Sequence, residues 1–243
     1  MSGLVDLAEE YRKDMVSFCQ RMIRTPSLPG QEGDMAKLVK EEMERLDYDE
    51  VWVDRVGNVI GVVGQGKTRT IMFNSHLDHV DPGDLTKWPF PSYEGVEKDG
   101  RRWGRGASDL KGALAVQVYS AAALKGFKPD FEGKVYVSAV VMEETGGVGT
   151  MNLVKEVKVD AAIVGEATSN QIAIGHRGRV EIIVRAEGRS AHASAPSRGV
   201  NPHYPLARFL GKLEEIKMAE DELFGSSTVA PTLYLCDQKS TNV

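Results

Sequence analysis

The run Ile71-Met72-Phe73-Asn74-Ser75-His76-Leu77-Asp78 reads as a short apolar strand whose carboxyl end delivers a histidine and an aspartate. Two further runs repeat the pattern. Val135–Met142 delivers Glu143 and Glu144, and Ala161–Gly165 delivers Glu166. Between them, residues 110–125 form a helix that is apolar nearly all round, and residues 148–157 form another. Near-continuous apolar strands alternating with helices describe an α/β fold: a mainly parallel sheet with helices on both faces. In such open sheets, ligand sites form outside the carboxyl ends of the strands. One edge of the sheet is therefore expected to gather one histidine and several carboxylates.

Working outward, residues 4–23 and 35–46 carry apolar residues at helical spacing, and Pro26 and Pro29 end the first of these helices. Strands are expected at 51–54 and 59–63, broken by Gly57-Asn58 and Gly64–Gly66. The loop 76–109, with Pro82, Pro89 and Pro91, is long enough to be functional or to hide short strands. A further strand is expected near 171–175. After Gly175 the character changes. Residues 179–187 alternate like a half-exposed strand, a helix covers about 203–217, and a strand lies near 229–236. The expected organisation is a metal-binding catalytic domain over 1–176 and, over 177–243, the first part of a smaller α+β domain. The chain reaches Ser240-Thr241-Asn242-Val243 without a closing helix, which reads as a truncation inside that second domain.

The 243 residues are 42% hydrophobic and 27% charged, with a formal net charge of −5. No basic stripe points to nucleic acid or to an anionic membrane. The start, MSGLVDLAEEYRKD, carries acids early and has no apolar core, so it is not read as a signal peptide. No apolar stretch reaches the length of a membrane span. The two cysteines, Cys19 and Cys236, are far apart and too few for a disulfide framework, so a reducing, cytoplasmic setting is expected.

Several carboxylates on one edge cannot all stay ionised without a compensating cation. Histidine with carboxylates suits zinc, cobalt or manganese rather than a thiolate site. Asp78, two residues after His76, is spaced to fix the imidazole from behind. In Glu143-Glu144 the adjacent side chains diverge, so one can bind metal while the other handles a proton. Asp109 joins from the turn Trp103-Gly104-Arg105-Gly106-Ala107-Ser108-Asp109. Each residue also has an ordinary reading. The histidine could be structural, Glu143-Glu144 a solvated turn, and Glu166 an acid on a helix dipole. Together those readings leave a cluster of acids without a counter-charge, which favours the metal reading.

The motifs Ser75-His76-Leu77-Asp78-His79-Val80, Gly104-Arg105-Gly106-Ala107-Ser108-Asp109-Leu110-Lys111-Gly112, Glu143-Glu144-Thr145-Gly146-Gly147, Gly165-Glu166-Ala167-Thr168 and Ala191-His192-Ala193-Ser194-Ala195-Pro196 resemble a known family. It is the metallopeptidase family of acetylornithine deacetylase, succinyl-diaminopimelate desuccinylase and carboxypeptidase G, and its branch linked by name to selenium metabolism matches best. The resemblance implies a di-zinc exopeptidase-like catalytic domain with a lid and dimerisation domain. It implies two divalent ions, zinc first, with cobalt and manganese open. His76 and Glu166 would bind one ion, Asp109 would bridge, and Glu144 would bind the other. Glu143 would be the general base, Asp78 would orient His76, and His192 would polarise the substrate carbonyl from the lid, across a homodimer. The peptide after Asp109 would be cis. A second-metal histidine and a carboxylate-gripping arginine would lie beyond this chain's end.

The expected activity is hydrolysis of an amide or peptide bond in a small N-acyl amino acid or dipeptide. The rivals are an inactive metal-binding or scaffolding relative and a peptidase of another two-metal α/β family. An intact Glu143, Asp78 and His192 speak against the first, and the His192 motif against the second.

Overall fold

The computed structural model describes residues 2–128 and 131–237, so the terminal run Ser240–Val243 lies outside the described residues. The chain divides into two compact units, Met1–Gln171 and Ile172–Val243.

In the first unit, helices α1 (Ser2–Arg24) and α2 (Gly33–Arg45) precede strands β1 (Glu50–Val53), β2 (Val59–Val63) and β3 (Thr70–His76). The long loop does hold a short hairpin, β4 (Val96–Lys98) with β5 (Arg101–Trp103). Helix α3 (Gly112–Phe127), strand β6 (Lys134–Val140), helix α4 (Val148–Glu156) and strand β7 (Ala161–Val164) follow. The main sheet runs β1-β2-β6-β3-β7. The pairs β1–β2 and β2–β6 are antiparallel, whereas β3–β6 and β3–β7 are parallel. The parallel half is the half whose strands end in the acids and the histidine. Its register runs from Thr70↔Lys134 to His76↔Val140, so β3 and β6 finish level with each other.

Both faces of the sheet are covered because both faces of its strands are apolar. Val59, Val63, Val135, Val137 and Ala139 pack with residues of α1, α2 and α3, including Phe18, Met22, Met35, Met43 and Val118. The alternate residues Ile60, Met72 and Val140 pack with Leu153 of α4. No helix among the described residues is long and apolar enough to cross a membrane.

One polar cluster ties the three helices together. Glu42 of α2 is only 2% exposed and accepts hydrogen bonds from Arg21 of α1, Arg45 (2.7 Å) and the Tyr119 hydroxyl of α3 (2.5 Å). Burial alone would raise the Glu42 pKa, but the bonds from Arg45, Tyr119 and Arg21 outweigh it and hold the pKa low. A depressed carboxylate adds stability above its unfolded pKa, about 4.3, and loses it as pH falls through the folded value. Glu42→Gln is therefore expected to cost about 1–3 kcal/mol at pH 7. That gap should narrow in acid, as measured by denaturant unfolding at pH 7 and pH 3.5. An equal gap at both values would remove this assignment.

The second unit departs from expectation. The strands expected at 171–175, 179–187 and 229–236 do not form among the described residues. A strand needs a paired neighbour, and Val180, Ile182 and Ile183 are all largely exposed. What forms is helix α5 (His203–Leu213), shorter than expected, a two-residue ladder of β8 (Glu220–Asp221) with β9 (Gly225–Ser226), and one bridge between Arg189 and Val200.

Candidate metal centre

The ends of β3, β6 and β7 place their polar residues as the strand reading requires. His76 is the last residue of β3 and Asp78 follows it, Glu143 and Glu144 sit in the turn after β6, and Glu166 follows β7. Asp109 sits in an irregular helical turn, Ala107–Lys111, that opens α3, and the Asp109–Leu110 peptide is cis. Gly165 lets the end of β7 lie close against β3 and α3. A Cβ there would lie 2.5 Å from Ser75 Oγ and 2.8 Å from Gln117 Nε2.

Within this unit His76, Asp109 and Glu144 each offer a ligand atom, all within 4.8 Å of one another. His76 Nε2 lies 3.1 Å from Asp109 Oδ1. On the other side of the ring, Nδ1 lies 2.9 Å from the Asp78 backbone carbonyl and 3.4 Å from Asp78 Oδ1. Asp78 is fully buried, and its carboxylate bonds to more than His76. Its Oδ1 accepts the Glu143 amide and its Oδ2 the Glu144 amide, both at 3.1 Å. One carboxylate therefore grips two chain segments that each carry candidate site residues.

The electrostatics describe an acid-rich pocket around the His76 imidazole. Burial opposes charge on His76, yet the Asp78 and Asp109 carboxylates outweigh it and raise its pKa to about 9. Burial raises the Glu144 pKa, and the Asp109 charge adds to it. Glu166 is raised by burial as well, with Asp109, Glu143 and Glu144 pushing the same way and His76 opposing. Glu166 is near enough to feel these charges, although it lies outside the tight trio. Asp78 goes the other way: burial disfavours its charge, but bonds from His76 and the Glu143 and Glu144 amides hold its pKa down. Two carboxylates whose pKa values are raised, Glu144 and Glu166, beside an imidazole are a donor set that a divalent ion would relieve. The residues present fit such an ion.

The structure also shows supports that the spacing of the motifs did not reveal. Glu32, 5% exposed, accepts the Met142 amide at 3.0 Å, and Asn58 accepts the Val141 amide at 2.9 Å while donating to the Gly149 carbonyl. Both fix the turn that carries Glu143 and Glu144. The Asp54-to-Asn58 spacing was a local signal, since Asp54 Oδ1 accepts the amides of Val56, Gly57 and Asn58. Nothing local marked Glu32. A cleft of about 740 Å³ runs along β7 and the first turns of α3, with Ser108, Gln117 and Glu166 in its wall. His192 belongs to the second unit, where it is exposed and its Nδ1 pairs with Ser194 Oγ at 2.9 Å.

Known proteins resemble this chain in sequence and in fold. The chain is 33% identical over 231 residues to the uncharacterized protein YgeY of Escherichia coli K12, covering 93% of this chain and 57% of YgeY. It is 32% identical to the succinyl-diaminopimelate desuccinylase of Paracoccus denitrificans, covering 95% of this chain and 64% of that enzyme. The chain thus spans more than half, but under two thirds, of the length of these relatives. In fold it resembles the dipeptidase Dug1p of Saccharomyces cerevisiae, with a TM-score of 0.69 and 16% identity over 87% of this chain and 52% of Dug1p. It also resembles the metallo-carboxypeptidase Sso-CP2 of Sulfolobus solfataricus, with a TM-score of 0.64 and 20% identity over 82% of this chain and 49% of that one. Residues 72–230, which hold His76, Asp109, Glu143, Glu144, Glu166 and His192, match the model of peptidase family M20/M25/M40, and the chain belongs to that family.

Proposed function

We propose that the protein carrying this chain is a metal-dependent hydrolase that cleaves an amide or peptide bond in a small N-acyl amino acid or dipeptide. The observation that carries this is the Asp78 carboxylate, which holds both the ligand-type His76 and the turn bearing Glu143 and Glu144. A metal-binding protein needs the ligands, but it has no need of a free carboxylate beside them.

His76 and Glu166 would hold one divalent ion, Glu144 a second, and Asp109 would bridge them. Zinc is the first choice, with cobalt and manganese next. When bound, the ions supply Lewis-acid polarisation of a carbonyl and lower the pKa of water. Glu143, exposed at the site and outside the trio of ligand atoms, takes the proton of the attacking water on its carboxylate. It then returns that proton to the leaving nitrogen. Asp78 keeps the His76 ring turned so that Nε2 faces the ligand cluster. The test is metal content per chain measured beside hydrolysis of a panel of N-acyl amino acids and dipeptides. Metal without hydrolysis of any of them would leave only the inactive, metal-binding reading.

We also propose that residues 177–243 are part of a lid and dimerisation domain, and that His192 polarises the substrate carbonyl across a homodimer. Free Cys19 and Cys236 suit a reducing, cytoplasmic setting. His192→Ala is expected to lower turnover while leaving metal content unchanged. Mixing His192→Ala with Glu143→Gln subunits should restore part of the activity. No recovery, in subunits shown to exchange, would rule out action across a dimer.

A further inference from the structure

The end of α1 touches both segments that carry the candidate ligands. On one side stands Ser27, which is 0% exposed. Its hydroxyl donates to the Leu77 carbonyl at 2.7 Å, between His76 and Asp78. Its amide donates to His79 Nε2 at 3.0 Å, and its carbonyl accepts the His79 amide at 3.1 Å. His79 Nδ1 donates in turn to the Val80 carbonyl at 2.8 Å, so the ring is a neutral strut with both nitrogens committed.

On the other side stands Lys111, two residues after Asp109 and 1% exposed. Its Nζ donates to the Met22 and Thr25 carbonyls, each at 2.9 Å. Among the described residues, no carboxylate is bonded to it. A buried ammonium is a costly way to fill space that a methionine would fill without charge. What the ammonium adds is direction, because it reaches the carbonyls at the carboxyl end of α1, where the helix dipole favours a cation. Its stem is fitted closely as well. A Cβ on Gly106, whose φ is +74°, would lie 3.1 Å from Lys111 Cε.

We infer that residues 22–27 are a clamp that sets the spacing between His76 and Asp109, with Ser27, His79 and Lys111 as its positioning residues. The clamp holds 77–79 through Ser27 and 106–111 through Lys111. The ligand atoms it spaces are His76 Nε2 and Asp109 Oδ1, 3.1 Å apart. This inference rests on the metal reading of the site.

The experiment is a cobalt(II) titration of the metal-free protein followed by visible absorption, on Lys111→Met, Ser27→Ala and the parent, with Glu42→Gln as a control. Glu42 is equally buried but bonds only within the helix layer, so Glu42→Gln should lower stability and leave cobalt affinity and spectrum unchanged. Lys111→Met should weaken cobalt binding by about 10–100-fold, the usual cost of losing a support behind a metal ligand. Its ligand-field bands should also shift. Ser27→Ala should do the same to a smaller degree, and it decides the matter if Lys111→Met does not fold. Parental affinity and bands in folded variants would overturn the clamp while leaving the metal centre standing. No cobalt binding by the parent would overturn the metal centre, and the clamp with it.

Discussion

Glu143→Gln is expected to remove hydrolysis, by about 10²–10⁴-fold for a positioned acid–base group, while metal content per chain stays at the parental value. The asymmetry follows from the turn after β6. Glu144 contributes a ligand atom to the trio with His76 and Asp109, whereas Glu143 does not. The amides of both residues are fixed by the same Asp78 carboxylate, so the amide side chain changes the chemistry without moving the backbone. Turnover by single-turnover kinetics and metal by elemental analysis are the paired measurements. Near-parental turnover would remove Glu143 as the base. Metal loss equal to that of a ligand variant would instead make it a ligand.

Asp109→Ala is expected to strip metal more completely than His76→Ala, because in the proposed centre a bridging carboxylate would serve two ions and the histidine one. The loss should exceed the roughly 10–100-fold set by a supporting residue. Asp109 is 58% exposed in its side chain, so its removal leaves no buried cavity and the fold should persist. Elemental analysis after gel filtration, with circular dichroism as the check on folding, decides it. Full retention of metal in Asp109→Ala would eliminate the two-ion centre.

The first unit was legible because its strands are apolar on both faces and end abruptly in polar residues. Ile71–Ser75 followed by His76 is a signal that period and composition both carry. The cluster was legible because three strand ends and one helix start must meet on one edge of the sheet. The supports were not. Ser27, Glu32 and Lys111 act through bonds to backbone atoms 50, 110 and 89 residues away, and no local pattern records such partners. Glu32 and Lys111 are also charged residues that composition assigns to the surface. In the second unit, the alternation Arg179-Val180-Glu181-Ile182-Ile183-Val184 reports that one side of a strand would be apolar. It cannot report whether a neighbouring strand is present to complete the pairing.

The level finish of β3 and β6 has a consequence for which changes of length the family can tolerate. With His76 opposite Val140, the histidine and the start of the turn that carries Glu144 are held level. Inserting a single residue into either strand would turn every later side chain to the opposite face. Inserting two would restore the face but displace the ligand by about 6.6 Å, at ~3.3 Å per residue. Neither offset is compatible with ligand atoms that must sit within 4.8 Å of one another. Insertions and deletions among relatives should therefore collect in the loop 80–104 and beyond Glu166, and the strand lengths 70–76 and 134–140 should behave as a fixed gauge.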